Sequence, residues 1–124
     1  MAKRFLIIDD DSRVSEALGD YLTLKGHVVE TAADGASGLV AVINRRPDLV
    51  FLDINMPGIN GLRVLKQIRR VDANIPVVMI TGNSDAVVAG ETLRSGAIAY
   101  LPKPFEFRYV DHLVAAALTQ PDTR

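Results

Sequence analysis

The chain has no cysteine and no tryptophan, and only two histidines, in 124 residues. The missing thiols exclude disulfides, thiolate metal sites and cysteine nucleophiles. His27 and His112 lie apart from every other candidate ligand, so a soft-metal site has no basis either. Excess charge of one sign is also lacking. Fourteen basic and 15 acidic residues give a formal net charge of −1, so no global field draws the chain to nucleic acid or to an anionic membrane. No apolar run approaches the roughly 18 residues of a membrane span. The opening MAKRF leads into only four apolar residues, short of the roughly 7–15 in a signal peptide. A cytoplasmic location is expected, with no membrane partner. There is no internal repeat and no low-complexity tract.

What is present suits a folded domain: 48% of residues are hydrophobic and 23% charged, in a length that builds one real core and not two. Residues 1–124 read as a single domain with its core at about 4–118. The polar stretch 119–124 is either a tail or the start of a linker. Apolar runs at 5–8, 49–52, 76–80 and 98–101 have the length and continuity of buried strands, and 28–31, short and ending polar, is a further strand candidate. Between them the apolar residues follow helical spacing. The sets are Val14, Ala17, Leu18, Tyr21 and Leu22; Ala36, Leu39, Val40 and Ile43; Leu62, Leu65 and Ile68; and Val110, Leu113, Val114, Ala117 and Leu118. A fourth helix of small residues is expected at 85–95. Gly26, Pro47-Asp48 and Gly96 stand where helices stop.

Strand and helix thus alternate five times, which argues for an α/β fold: a parallel sheet with helices on both faces. Right-handed crossovers favour the strand order 2-1-3-4-5, with ligands bound at the carboxyl ends of the strands where the winding reverses. The residues at those ends are distinctive. Strand 1 runs into Asp9, Asp10 and Asp11, strand 3 into Asp53, strand 4 into Thr81, and strand 5 into Lys103. Strands 1, 3, 4 and 5 are neighbours in that order, about 4.8 Å apart. One pocket would hold several carboxylates, a hydroxyl and an ammonium. Taken alone, Asp9–Asp11 could be a helix-capping cluster, but matching residues at three other strand ends favour a built site. Oxygen ligands with an excess of negative charge suit a hard divalent cation, Mg²⁺ before others. A carboxylate beside that cation can act as a nucleophile toward phosphorus, with Lys103 and Thr81 suited to the phosphoryl oxygens. No histidine or glutamate is placed as a strong base, so the acyl phosphate should hydrolyse slowly.

The segments IIDDDS, FLDINMPGINGL, VVMITG and AYLPKPF together resemble the receiver domain of two-component response regulators, and the resemblance runs over essentially the whole chain. It implies a doubly wound, flavodoxin-like (βα)5 three-layer sandwich. It implies Asp53 as the phosphoacceptor, supplied by a histidine kinase or a phosphotransfer protein. Asp10 and Asp53 would bind Mg²⁺ directly, Asp9 through water and Asn55 through its backbone carbonyl. Thr81 and Lys103 would contact the phosphoryl group, and Lys103-Pro104 would be cis. Thr81 and Tyr100 would form the switch, acting on a downstream protein or effector domain through helix 4, strand 5 and helix 5, without direct nucleic-acid contact.

Several residues remain open between two roles. Tyr100 can be a half-buried packing aromatic or the moving switch; Val87, Val88 and Ala89 can be core or partner surface. Asp11 is expected to face solvent near a helix start, and Gly82 to leave room for the phosphoryl group. Asn55 and Asn83 occupy positions that tune dephosphorylation in the family. The charged segment 63–70 reads as the solvated face of helix 3, and the two histidines as having no special role. MITGNSDAVVAGETLRSGA resembles receivers that precede helix-turn-helix output domains. Two other classes compete. A phosphatase of the haloacid dehalogenase type also uses an aspartyl nucleophile and Mg²⁺, but it expects an aspartate where Asn55 stands. A dinucleotide- or flavin-binding module would want glycines, not DDDSRV, after strand 1.

Overall fold

A computed structural model describes residues 3–56, 60–82 and 86–119, and for 86–89 the backbone alone. The elements alternate as β1 (Arg4–Ile8), α1 (Ser12–Leu24), β2 (Val28–Ala32), α2 (Gly35–Arg45), β3 (Leu49–Asp53), α3 (Gly61–Val71), β4 (Val77–Thr81), α4 (Ala86–Arg94), β5 (Ala99–Pro102) and α5 (Phe107–Leu118). The five strands form one parallel sheet in the order β2-β1-β3-β4-β5. This is the doubly wound arrangement that the alternation predicts. Each strand lies within a residue of its expected position. β4 starts at Val77 rather than Pro76, since proline has no N–H to give the ladder; its carbonyl still accepts from Val50 N–H at 3.0 Å.

The period-2 pleat sorts the strand residues into two cores. Leu6, Ile8, Val50, Leu52, Val77 and Met79 face one side, against Ala41 and Val42 of α2 and Val64, Leu65 and Ile68 of α3. Phe5, Ile7, Leu49, Phe51, Val78 and Ile80 face the other, against Leu18 and Leu22 of α1 and Val110, Leu113 and Ala117 of α5. Every residue of β3 and β4 is buried, whereas in the edge strand β2 only Ala32 is.

Two helices turn differently from the apolar spacing. In α2 the buried face is Gly35, Gly38, Ala41 and Val42, while Val40 and Ile43 are exposed. The cause is close packing: a Cβ on Gly38 would overlap the Ile8 side chain, so the helix approaches β1 on its smallest residues. In α1, Ser15 and Gly19 are buried and Ala17 is exposed. The charged segment 63–70 is also not uniformly solvated. Arg69 is half-buried and donates to the carbonyls of Gly96 and Asp72, each at 3.2 Å. His27 accepts from Lys3 N–H at 3.3 Å and lies against Phe5, and His112 is exposed; both are remote from the strand ends. Among the described residues no helix is long and apolar enough to cross a membrane.

The rotated face of α2 gives a direct test. Val42 is 1% exposed and its neighbour Ile43 53%. Val42→Ala is expected to cost about 2 kcal/mol in urea unfolding, and Ile43→Ala about 0.5 kcal/mol or less.

Candidate functional site

Four adjacent strands, β1, β3, β4 and β5, deliver polar residues to one end of the sheet. Asp9 follows β1 directly and its N–H is held by Ala32 O at 3.0 Å, so it stands at the mouth of the sheet and is 2% exposed. Asp53, the last residue of β3, is 3% exposed. Thr81, the last of β4, is buried, and its carbonyl accepts from Lys103 N–H at 2.7 Å just past β5. That bond draws the lysine-bearing loop back over the sheet, and the Lys103-Pro104 peptide is cis. The lysine side chain then reaches across the strand ends. Its Nζ lies 3.3 Å from Asp9 Oδ2 and 3.8 Å from Asp53 Oδ2.

Of the three adjacent aspartates, only Asp11 follows the capping reading. It is the N-cap of α1, with its Oδ1 accepting from Arg13 N–H at 3.0 Å, and that bond holds its pKa below the usual value. Asp9 turns inward, where its Oδ1 accepts from Asp11 N–H at 2.9 Å. Asp10 is exposed, yet one carboxylate oxygen each from Asp9, Asp10 and Asp53 falls within 4.8 Å of the others.

Charge in this pocket is unbalanced. The ammonium is within ion-pair distance of Asp9 Oδ2 but not aligned for a hydrogen bond, and that buried oxygen has no hydrogen-bond donor among the described residues. Asp53 Oδ1 accepts from Asn55 N–H at 3.1 Å. Burial, then the neighbouring charge of Asp9, pushes the Asp53 pKa up to about 6, against the pull of Asn55 N–H and Lys103. An orphaned buried oxygen and a set of hard oxygen donors fit a divalent cation.

Gly61 belongs to the site although its sequence position does not announce it. Its N–H donates to Ile54 O at 2.7 Å, and a Cβ there would run into the Asp53 carbonyl and Ile54 Cα. Only glycine lets α3 begin this close behind Asp53. Gly82 is exposed, and a Cβ on it would meet nothing within 4 Å. Tyr100 is half-buried against the α2–α3 core. Asn83 and the side chains of Val87, Val88 and Ala89 lie outside the described residues, as do 57–59 of the loop after β3 and 120–124 of the tail.

The sequence profile of the response regulator receiver domain matches residues 5–115. The transcriptional regulatory protein AfsQ1 of Streptomyces coelicolor is 41% identical over 113 residues, covering 91% of this chain and 50% of that protein. The DNA-binding response regulator MtrA of Mycobacterium tuberculosis is 38% identical over 122 residues, covering 98% of this chain and 53% of that one. The chain therefore spans about half the length of the curated relatives it matches. Among solved structures, the CheY-like response regulator receiver domain protein of Methanospirillum hungatei superposes with a TM-score of 0.90 at 29% identity, over 95% of this chain and 94% of the other.

The raised Asp53 pKa has a consequence for stability. A carboxyl whose folded pKa lies above its ordinary 3.8 favours the fold when protonated and opposes it when ionised. The penalty is absent below about pH 4 and grows as pH rises through 6. With divalent cations chelated, Asp53→Asn should be more stable than wild type at pH 8, by an amount on the order of 2–3 kcal/mol. The gain should vanish toward pH 4, as followed by circular dichroism.

Proposed function

The chain belongs to the response regulator receiver domain family, and from that premise we propose that Asp53 is its phosphoacceptor and that the pocket around it is the phosphoryl-transfer site. The observation that carries this is the placement of Lys103 Nζ between two buried carboxylates, 3.3 Å from Asp9 and 3.8 Å from Asp53, at the end of the sheet where the winding reverses.

Asp10 and Asp53 would hold Mg²⁺ through their carboxylates, Asp9 through water and Asn55 through its backbone carbonyl. When bound, the cation supplies the positive charge that lets an anionic phosphoryl group approach anionic carboxylates. The protein's own residues do the rest. A carboxylate oxygen of Asp53 attacks the phosphorus of a phosphohistidine on a histidine kinase or phosphotransfer protein. The new O–P bond forms as the P–N bond breaks, and the departing imidazole keeps the electron pair and takes up a proton. Lys103, freed from part of its pairing with Asp53, turns its ammonium to a phosphoryl oxygen, and the Thr81 hydroxyl donates to another. Water later cleaves the acyl phosphate, slowly, because no histidine or glutamate is placed as a strong base beside Asp53.

The signal follows from the same bonds. Thr81 drawn toward the phosphoryl group leaves space beside β4 and β5, and Tyr100, half-buried there, turns in to fill it. That change repacks the α4–β5–α5 face, which we assign to a downstream protein or an effector domain. Residues 1–124 act as one receiver domain, with 119–124 as its tail or the start of a linker. Relatives of twice this length include one named as DNA-binding; in our reading the receiver reaches nucleic acid through such an additional region, not by its own surface. A haloacid dehalogenase type of phosphatase gains no support: Asn55 stands where its second aspartate belongs, and the matched relatives are regulators.

The test is intact mass after incubation with a small phosphodonor. Wild type should gain one phosphoryl group only with Mg²⁺ present, and Asp53→Asn should gain none. Lys103→Gln should bind Mg²⁺ but label at least tenfold more slowly, a barrier change of about 1.4 kcal/mol or more. Equal labelling of Asp53→Asn would move the acceptor elsewhere.

A further inference from the structure

Helix α5 starts without a capping side chain. Asp11, Asp34 and Asn60 each accept a hydrogen bond from the first turn of α1, α2 and α3, whereas Glu106, in the same place before α5, makes none. An uncapped helix start frays readily. This one carries the loop from Lys103, so fraying there would loosen the ammonium that pairs with Asp9 and Asp53.

Contacts from α1 take the place of the cap. Phe107, the first residue of α5, stacks on the ring of Tyr21, with centroids 4.2 Å apart and planes 6° from parallel. The Tyr21 hydroxyl donates to Asp111 one turn further along α5, 2.7 Å from both carboxylate oxygens. Lys25, the C-cap of α1, places Nζ 4.0 Å from Asp111 and 5.3 Å from the Tyr21 ring. The hydrogen bond to Asp111 also raises the phenol pKa, so Tyr21 stays a donor. Phe105, between Lys103 and this cluster, packs into the α1–α5 core.

The two helices joined here are those that carry the two ends of the ion pair. α1 continues directly from Asp9–Asp11, and α5 directly from the Lys103 loop. We propose that Tyr21 and Asp111, acting through Phe107, are positioning residues that hold Lys103 over Asp9 and Asp53 for phosphoryl transfer. The lysine side chain has many rotamers to lose, so its placement depends on a fixed backbone at both sides of the loop. Thr81 O fixes one side and the Tyr21–Phe107 stack the other. The proposal rests on the function assigned to the pocket above, so its test includes a readout independent of labelling.

That readout is the side-chain nitrogen resonance of Lys103 in ¹⁵N-labelled protein with divalent cations chelated. Tyr21→Leu should move it toward the position of an exposed lysine, with Tyr21→Phe and Asp111→Asn intermediate. With phosphodonor and Mg²⁺, Tyr21→Leu should label about tenfold more slowly, the scale set by one aromatic contact, with Mg²⁺ affinity unchanged. In a Lys103→Gln background the same substitution should cause no further slowing. A merely structural role predicts lowered stability with the Lys103 resonance unmoved, and that result overturns the proposal, as does equal slowing with and without Lys103. Asp111→Asn keeps the ring stack and decides the matter if Tyr21→Leu does not fold. If wild type itself fails to label, the assigned function falls, and the resonance still decides whether Tyr21 positions Lys103.

Discussion

Lys103 Nζ lies 3.3 Å from Asp9 Oδ2 and 3.8 Å from Asp53 Oδ2, and one positive charge does not balance two buried carboxylates with a third beside them. Buried charges are tolerated when they are paired and hydrogen-bonded, and here the pairing is incomplete by design of the fold. The strand ends bring the acids together, and the lysine compensates only part of their charge. The remainder suits the pocket to a divalent cation and, in the function we propose, through it to a phosphoryl group. A tighter site, with a second lysine or a neutral side chain at position 10, would be more stable and would have less reason to bind either.

The rest of the molecule keeps this strained group in place. β1, β3 and β4 are buried on both faces, so the backbone beneath Asp9, Asp53 and Thr81 is close-packed from either side. Gly61 lets α3 start against the Asp53 carbonyl, which closes the pocket from behind. The lysine comes from the less protected side, a loop leading from the edge strand β5 into an uncapped helix. That asymmetry suits a switch: a fixed floor of acids and hydroxyl, and above it a lysine on a loop that can rearrange.

Asp9, Asp10, Asp53, Thr81 and Lys103 were all legible in the sequence, because a continuous apolar run breaking into a polar residue marks the end of a buried strand. The strand order followed from the alternation and the handedness of the crossovers. What escaped was set by close approach rather than by polarity. Val40 and Ile43 look like the buried side of α2, but Gly38 against Ile8 turns the helix onto its small residues. Gly61 reads as an ordinary loop glycine until the Asp53 carbonyl is seen beside it. Tyr21 and Asp111 are 90 residues apart and carry no shared motif, so only the packing of α1 on α5 brings them together. Arg69 shares a charged run with solvated neighbours, and its carbonyl partners are visible only in three dimensions.

The carboxylates are held short of compensation, and in the function we propose a divalent cation completes them. Calorimetric titration of Mg²⁺ in buffers of different ionisation enthalpy measures both the affinity and the protons released on binding. With the Asp53 pKa at about 6, saturable binding at pH 6 should release about half a proton, and binding at pH 8 close to none. No saturable binding at either pH, or binding at pH 6 with no proton released, would mean that the carboxylates do not form a cation site.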